Sequence, residues 1–371
     1  MNLLNKNNDC LRKIYHYVPW IFFIDKGVVF NKTGSFQKTL EYKPISFNDD
    51  HEQLRTTNVI NETLKALGSN WAYFFEVQHN QVETNGYKNQ YYITIVYMPP
   101  LTFIDSFFDE KEKNNYLFYL NYFLNEIQTI VKSLKNVLSY IRYLNDADTL
   151  TYLHSCISIN RGHISVPEVP LFLDYVLADN ILECGITPKL GNFFLGIITI
   201  NGHHPQTFSQ IIKDLDKIDV EYRFSTRLIL MDDKDTVSEL ESYTKKFFVS
   251  RKGIWSILKD SIKKKKDNIE DNALNNETIP EKCINVKEFI SDLSVKSGYY
   301  SSCIVIWDDD LEVLKSKTSQ IENIVNNIGI ITIAETYNSV PTWLSSIPGH
   351  CWANLKRPLV LSLELHYYFI I

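Results

Sequence analysis

Residues 193–231, FFLGIITINGHHPQTFSQIIKDLDKIDVEYRFSTRLILM, decide the fold class. Two runs rich in β-branched and apolar residues flank a segment of helical period, which predicts a strand, a helix and a strand over 193–200, 206–218 and 222–231. The pattern then repeats with a strand at 299–307, a helix at 311–326 and a strand at 328–334. Strands that alternate with helices predict an α/β fold, with α+β as the alternative, built as a mixed sheet with helices packed on one face.

The sequence upstream predicts a hairpin, two further strands and a long helix. Apolar runs at 18–30 and 36–42 surround Gly34, which favours a hairpin with this glycine at the turn. Apolar residues spaced by three or four predict a long helix over 113–144, and a second long helix is predicted over 236–264. The remaining predicted elements are helices at 49–67, 146–154 (with Asp146 as N-cap) and 166–178, and strands at 71–78 and 91–97. These elements divide the chain into subdomains 1–145 and 146–358, followed by an apolar tail at 359–371.

Composition excludes several classes of protein. With 371 residues, 44% of them hydrophobic, the chain is globular and not disordered as a whole. The net charge is −6 and only 8 of the 38 basic residues are Arg, so sequence-specific nucleic-acid binding is not expected. Six cysteines without a C-x-x-C pair indicate reduced, mostly buried thiols. No run approaches the roughly 18 apolar residues of a spanning helix, so we expect a soluble protein or one attached to a membrane from one side.

Motifs for nucleotide chemistry are incomplete. A phosphate-binding P-loop needs G-x-x-x-x-G-K-[ST], and no Gly-Lys dipeptide occurs in the chain. The nearest pattern, Gly27 followed by Lys32 and Thr33, is interpreted as a hairpin turn. Two apolar strands end in acids, at 228–233 and 304–309, as the Mg²⁺-binding strand of an ATPase does. Acids at a helix start complement the helix dipole, so we interpret both as ordinary strand-to-helix junctions.

Other candidate residues also lack a complete pattern. His154, Cys156 and His163, or His203 with His204, do not form the two closely spaced ligand pairs of a zinc site. Three aromatic residues near the end of the chain are interpreted as core residues: Tyr337, Trp343 and Trp352. The basic run at 263–266, before a polar linker at 265–285, is interpreted as a solvated helix end, with a membrane or phosphate contact as the alternative. We therefore predict no catalytic, cofactor-binding or metal-binding residue in the chain.

Many short blocks, in one order, resemble a known family. The blocks are VPW at 18–20, GVV at 27–29, NKTGSFQ at 31–37, LGSNW at 67–71, 91–100, DTLTYLH at 148–154, VPEVP at 166–170, YRFSTR at 222–227, SRK at 250–252, ETYN at 335–338, 344–350 and Asn354. They cover most of residues 15–358. Together they resemble the N-terminal region of TrbE-type conjugative transfer ATPases, in the CagE/TrbE family of type IV secretion ATPases.

This resemblance implies a function that the chain's own motifs do not supply. In the family, an N-terminal α/β region precedes a RecA-like ATPase domain that binds ATP and Mg²⁺ through its P-loop. No residue here matches those nucleotide-binding positions, so ATP and Mg²⁺ are implied by the family alone. The implied partners are membrane and cytoplasmic subunits of a type IV secretion complex. The implied location is the cytoplasm, peripheral on the inner membrane.

The tail at 359–371 departs from the family pattern, and the RecA-like domain does not follow it. This departure predicts a frameshift, an early stop or a split gene in which a separate chain supplies the ATPase domain. Three hypotheses follow: a docking and assembly module, a non-functional remnant, or an ATPase with an unrecognised nucleotide site. Because the tail combines high β-propensity with few charges, we expect its removal to improve solubility.

Overall fold

The structure is a computed structural model of the chain. It describes residues 11–45, 50–65, 67–82, 86–100, 113–169, 171–201, 208–232, 234–236, 238–239, 296–353 and 359–361. The helices are a 3₁₀ turn at Ile14–His16 and α1 Asp50–Lys65, α2 Lys113–Leu134, α3 Asp146–Ile157, α4 Leu173–Leu177, α5 Phe208–Leu215, α6 Leu311–Asn327 and α7 Ser339–Ser345. The strands are β1 Leu11–Lys13, β2 Trp20–Asp25, β3 Val28–Asn31, β4 Phe36–Tyr42, β5 Trp71–Val82, β6 Gly86–Tyr97, β7 Ile141–Tyr143, β8 Ile181–Glu183, β9 Lys189–Leu190, β10 Phe193–Asn201, β11 Tyr222–Met231, β12 Ser297–Asp308, β13 Ile331–Ala334 and β14 Leu359–Leu361.

The described strands form one 14-stranded sheet. Its main path is β1-β8-β9-β10-β12-β11-β5-β6-β4-β3-β2, with β13 beside β10, β14 beside β12 and β7 beside β4. The predicted mixed fold of sheet and helices is confirmed. The subdomain boundary at residue 145 stays a prediction, and strands from both sides of it belong to this sheet.

The predicted βαβ units are split units. Strands β10 and β11 are joined through α5, yet β12 lies between them and pairs antiparallel with both. Strands β12 and β13 are joined through α6, and β10 lies between them in the same way. The local order β13-β10-β12-β11 with two crossover helices is the ferredoxin-like β-α-β-β-α-β arrangement.

Helices cover both faces of the sheet, so the prediction of helices on one face is wrong. On the face that we call the α2 face, a buried cluster joins strand residues such as Trp71 and Phe36 to Phe123 of α2. Helices α1, α5 and α6 contribute to that cluster. On the opposite face, called the α3 face, helices α3, α4 and α7 cover a second cluster. Alternation along β5 explains why both faces need cover, because Trp71, Tyr73 and Phe75 point one way and Ala72 and Phe74 the other.

Several predicted boundaries are wrong. The predicted strand at 18–30 is two strands, because Gly27, at φ 63°, turns β2 into β3. The predicted helix over 113–144 ends at Leu134, and residues Ile141–Tyr143 pair with β4 as a strand instead. Asn145, not Asp146, caps α3 by accepting a hydrogen bond from the Asp148 N–H through its side chain. The predicted helix over 166–178 is confined to Leu173–Leu177.

Other predictions are confirmed or fall outside the described residues. The helix at 49–67 and the strands at 71–78, 91–97 and 222–231 are confirmed as α1, β5, β6 and β11. Most of the helix predicted over 236–264, the basic run at 263–266 and the linker at 265–285 lie outside the described residues. Of the tail, 359–361 is paired with β12 as β14. None of the described helices is both long and apolar enough to cross a membrane.

Candidate functional site: a buried polar cluster on the α3 face

A buried ion pair lies at the centre of the α3 face. Glu76 on β5 and Arg223 on β11 approach as a bidentate pair, with Nε–Oε1 and Nη2–Oε2 distances of 2.8 and 2.9 Å. Their side chains are 0% and 2% exposed. The Gln78 amide and the Tyr152 hydroxyl also donate to the Glu76 carboxylate, at 2.6 and 3.2 Å. These contacts meet the requirement that a buried charge be paired and hydrogen-bonded.

The ion pair belongs to a cluster that holds residues 344–350. Arg223 donates to the carbonyl oxygens of Cys156 and Ser346, at 2.7 and 3.4 Å. The Arg227 guanidinium donates to the His350 carbonyl at 2.9 Å. From the other side, the Trp20 indole N–H donates to the Pro348 carbonyl at 2.8 Å. Side chains from β2, β5, β11 and α3 thus fix one irregular segment whose carbonyl oxygens no ladder satisfies.

Gly349 completes the fit of this segment. Its φ of 89° lies in the left-handed region that favours glycine. A Cβ at this position would collide with the amide oxygen of Gln37 and lie 3.0 Å from the Asn31 amide nitrogen. Asn31 in turn donates to Gln37 and to Ser35, at 3.1 and 3.0 Å. The hairpin at 31–37 and the segment 344–350 therefore require each other's residue types.

Burial keeps the ionisable groups of the cluster unreactive. It raises the pKa of the Cys156 and Tyr152 side chains well above their usual values, aided for both by the negative charge of Glu76. It also raises the pKa of Cys303 to about 12, so this thiol stays protonated at neutral pH. A nucleophilic cysteine needs a lowered pKa and partial exposure. The cluster therefore has the chemistry of a structural support.

The two acid-ended strands use their acids within the chain. Asp232, after β11, accepts from the N–H and the hydroxyl of Ser69 at 2.9 and 2.8 Å. Asp308, at the end of β12, accepts from Lys317 at 2.6 Å. Burial alone would raise the pKa of Asp308, but hydrogen bonds from Lys317 and the Asp310 N–H lower it below its usual value. Asp310 caps α6 by accepting from two backbone N–H groups. These contacts are those of strand-to-helix junctions.

The histidines named from the sequence have separate partners. His154 Nε2 and Ser158 Oγ both bond to Asp179, at 3.0 and 2.8 Å. This is not a catalytic triad, in which histidine lies between the hydroxyl and the carboxylate. His163 contacts the Thr151 hydroxyl at 3.0 Å, and the pair His203 and His204 lies outside the described residues.

No cluster of His, Cys, Asp and Glu suited to a metal occurs among the described residues. Cys156, Cys184, Cys303 and Cys351 are free, and three of them are buried, which confirms the thiol prediction for the described portion of the chain.

Other residues singled out in the sequence have mixed outcomes. Lys32 of the P-loop-like pattern pairs with Asp174 at 2.7 Å, and Gly27 sits in a turn, as the hairpin interpretation holds. Trp343 is a core residue, but Tyr337 and Trp352 are 91% and 56% exposed, so their assignment to the core is wrong. Sequence reasoning misses Glu76. Its signal is one carboxylate within the apolar run WAYFFEV of residues 71–77.

Comparisons with known proteins match both halves of this cluster. A family model for the N-terminal domain of the type IV secretion system ATPase VirB4/TrbE matches residues 27–86, which include Gln37 and Glu76. A second model, for the CagE, TrbE, VirB family, component of type IV transporter system, matches residues 247–356, which include the segment 344–350. Arg223 lies between the two matched regions and joins them.

Curated relatives agree with the family models. The chain is 28% identical over 218 residues to a probable conjugal transfer protein TrbE of Sinorhizobium fredii (strain NBRC 101917 / NGR234), covering 59% of this chain and 32% of the relative. It is 23% identical over 399 residues to the conjugal transfer protein TrbE of Rhizobium radiobacter, covering 94% of this chain and 48% of the relative. The chain thus spans between a third and a half of the length of these relatives. Two models of one family, matched in chain order, and two TrbE relatives show that the chain belongs to the VirB4/TrbE family of type IV secretion system ATPases, as its TrbE-type N-terminal region.

Proposed function

We propose that this chain supplies assembly contacts of a conjugative type IV secretion ATPase and does not by itself bind or hydrolyse ATP. The observation that carries the proposal is the engagement of both acid-ended strands. Asp232 is bound to Ser69, and Asp308 is bound to Lys317 and the Asp310 N–H. An Mg²⁺-binding acid must instead face a phosphate cradle, and the sequence contains no Gly-Lys dipeptide.

The family implies ATP and Mg²⁺, but the residues of this chain do not fit them. Neither acid is free to hold a metal, and the positive-φ glycines lie in separate turns and not in one phosphate-binding loop. We therefore derive no chemical step through ATP. In this proposal the chain acts through its surface, and the buried cluster around Arg223 gives that surface a fixed shape.

The proposed partners are membrane and cytoplasmic subunits of the secretion complex, including an ATPase domain when it is supplied by a separate chain. The proposed location is the cytoplasmic face of the inner membrane, where the chain would be held by protein contacts. A mildly acidic chain, with net charge −6, is suited to protein partners better than to anionic lipid or nucleic acid.

The proposal is tested by sedimentation with inverted inner-membrane vesicles. Vesicles are prepared from cells that carry a complete set of conjugal-transfer genes and from cells that lack it. We expect the purified chain to sediment only with vesicles that carry the transfer apparatus. Equal sedimentation with both preparations would show lipid attachment, and absence of sedimentation with either would contradict the assembly role.

A further inference from the structure

A polar cleft opens on the α3 face beside α3, outside the buried Arg223 cluster. Its volume is about 440 Å³, which is within the range of ligand-binding pockets. Amide and hydroxyl side chains line its floor, and two arginines lie in its walls. Neither the family comparison nor the assembly proposal assigns it a role. The six lining residues that matter here are Glu41, Asn80, Arg142, Asp148, Arg161 and His163.

One wall of the cleft has an excess of negative charge. Arg142 donates to Glu41 at 2.7 Å and to Asp148 at 2.6 Å, so one guanidinium serves two carboxylates. The hydrogen bond to Asp148 is the main reason that the pKa of Arg142 is raised above its usual value. Because its donors are already used, Arg142 is a poor anchor for a further anion.

The second arginine is in the opposite state. Arg161 lies over the Trp307 ring, with Cζ 4.8 Å from the ring centroid. Its Nε and Nη1 atoms are buried and have no hydrogen-bond partner among the described residues. Burial lowers the pKa of Arg161, and Glu221 opposes this through charge alone. Buried donors without partners are costly, so an acceptor that enters the cleft would be stabilised.

An acceptor in the same cleft also lacks a partner. Asn80 donates to Gln90 at 3.2 Å through its amide nitrogen, while its Oδ1 atom is buried and meets no hydrogen-bond donor within the described ranges. A ligand that offers an anionic acceptor and an N–H donor would satisfy both unmet groups. A peptide that carries an acidic side chain has this combination.

We propose that the cleft binds an acidic side chain of a partner polypeptide, with its carboxylate on Arg161 and a backbone N–H on Asn80. A carboxylate carries one negative charge, which Arg161 balances. A phosphate dianion would face the carboxylates of Glu41 and Asp148 with its second charge uncompensated. The choice of a polypeptide ligand rests on the proposed assembly function, and peptide binding can be measured without a secretion apparatus.

The test uses Trp307 as a reporter, because Arg161 lies over its ring. The full chain is titrated with a blocked Gly-Glu-Gly tripeptide, with the Gly-Gln-Gly tripeptide and with inorganic phosphate, and tryptophan emission is recorded. We expect a saturable change with the glutamate peptide alone, absent in Trp307→Phe. Arg161→Gln should weaken binding at least about tenfold, since hydrogen bonds to charged groups contribute about 1.5–3 kcal/mol.

Matched variants separate recognition from folding. Lys189→Gln removes a cation that lies 4.2 Å from the Phe194 ring, away from the cleft, and should leave binding unchanged. Arg161→Lys keeps the charge without the planar fork and should bind with intermediate affinity. Equal binding of both peptides, saturation by phosphate only, or no saturable change in a chain with native far-UV circular dichroism would overturn the proposal. Failure of vesicle sedimentation alone would overturn the assembly function and leave this result standing.

Discussion

Removing one member of the Glu76–Arg223 pair is the perturbation whose cost follows most directly from the structure. Glu76→Gln leaves the guanidinium of Arg223 buried at 2% exposure without a countercharge. Arg223→Met leaves Glu76 without its countercharge and the carbonyl oxygens of Cys156 and Ser346 without a donor. Breaking a buried pair costs about 3–5 kcal/mol, so each single variant should lose about this much unfolding free energy.

The assay is urea unfolding of the full chain, followed by far-UV circular dichroism and tryptophan fluorescence. The double variant Glu76→Gln/Arg223→Met should cost less than the sum of the single variants, because no charge then remains buried. The matched control is Glu312→Gln, which breaks an exposed pair with Lys315 at 2.7 Å, and about 0.5 kcal/mol or less is expected there. Losses below about 1 kcal/mol for both buried variants would refute this reasoning.

Three further predictions concern single positions. Gly349→Ala should cost about 2 kcal/mol more than Gly329→Ala, because both glycines have positive φ but only the first would bring a Cβ against Gln37. Burial and Arg227 lower the pKa of His350 from 6.5 to about 4, so the unfolded chain binds the proton more readily and the unfolding free energy should fall as pH decreases through this range. His350→Asn should remove this contribution to the pH dependence. Asn145→Ala should cost about 1 kcal/mol, because α3 loses its N-cap.

Urea titrations at several pH values check all three. Equal losses for Gly349→Ala and Gly329→Ala would show that the hairpin at 31–37 does not constrain Gly349. The same pH slope in His350→Asn and in the parent chain would assign that slope to other groups. An Asn145→Ala chain as stable as the parent would mean that the Asp148 N–H finds another acceptor.

Local patterns predict most of the elements but not where two of them end. Apolar residues continue at a spacing of three or four past Leu134, so periodicity extends α2 to residue 144. Ile141 belongs instead to a strand that pairs with Tyr42, about a hundred positions away in sequence. Pairing of this kind leaves no mark on local periodicity. Gly34 locates the hairpin, while Gly27, which makes an additional turn, is hidden inside an apparently continuous apolar strand.

The buried cluster is within reach of the sequence only in pieces. The blocks at 18–20, 31–37, 222–227 and 344–350 are each recognisable, but their meeting depends on the sheet order. Arg223 and Glu76 are 147 positions apart, and β5 and β11 become neighbours only after the chain has folded. Of these two residues, Arg223 stands within a recognisable block and Glu76 does not. A lone carboxylate in an apolar strand is the signal that points to it.

The proposed role, in which this chain provides contacts and not a nucleotide site, is tested most directly by isothermal titration of the purified full chain with Mg-ATP. We expect no saturable heat, and the same trace for Asp308→Asn and Asp232→Asn. Saturable binding that disappears in either variant would contradict the proposed role, because an acid-ended strand would then belong to a nucleotide site.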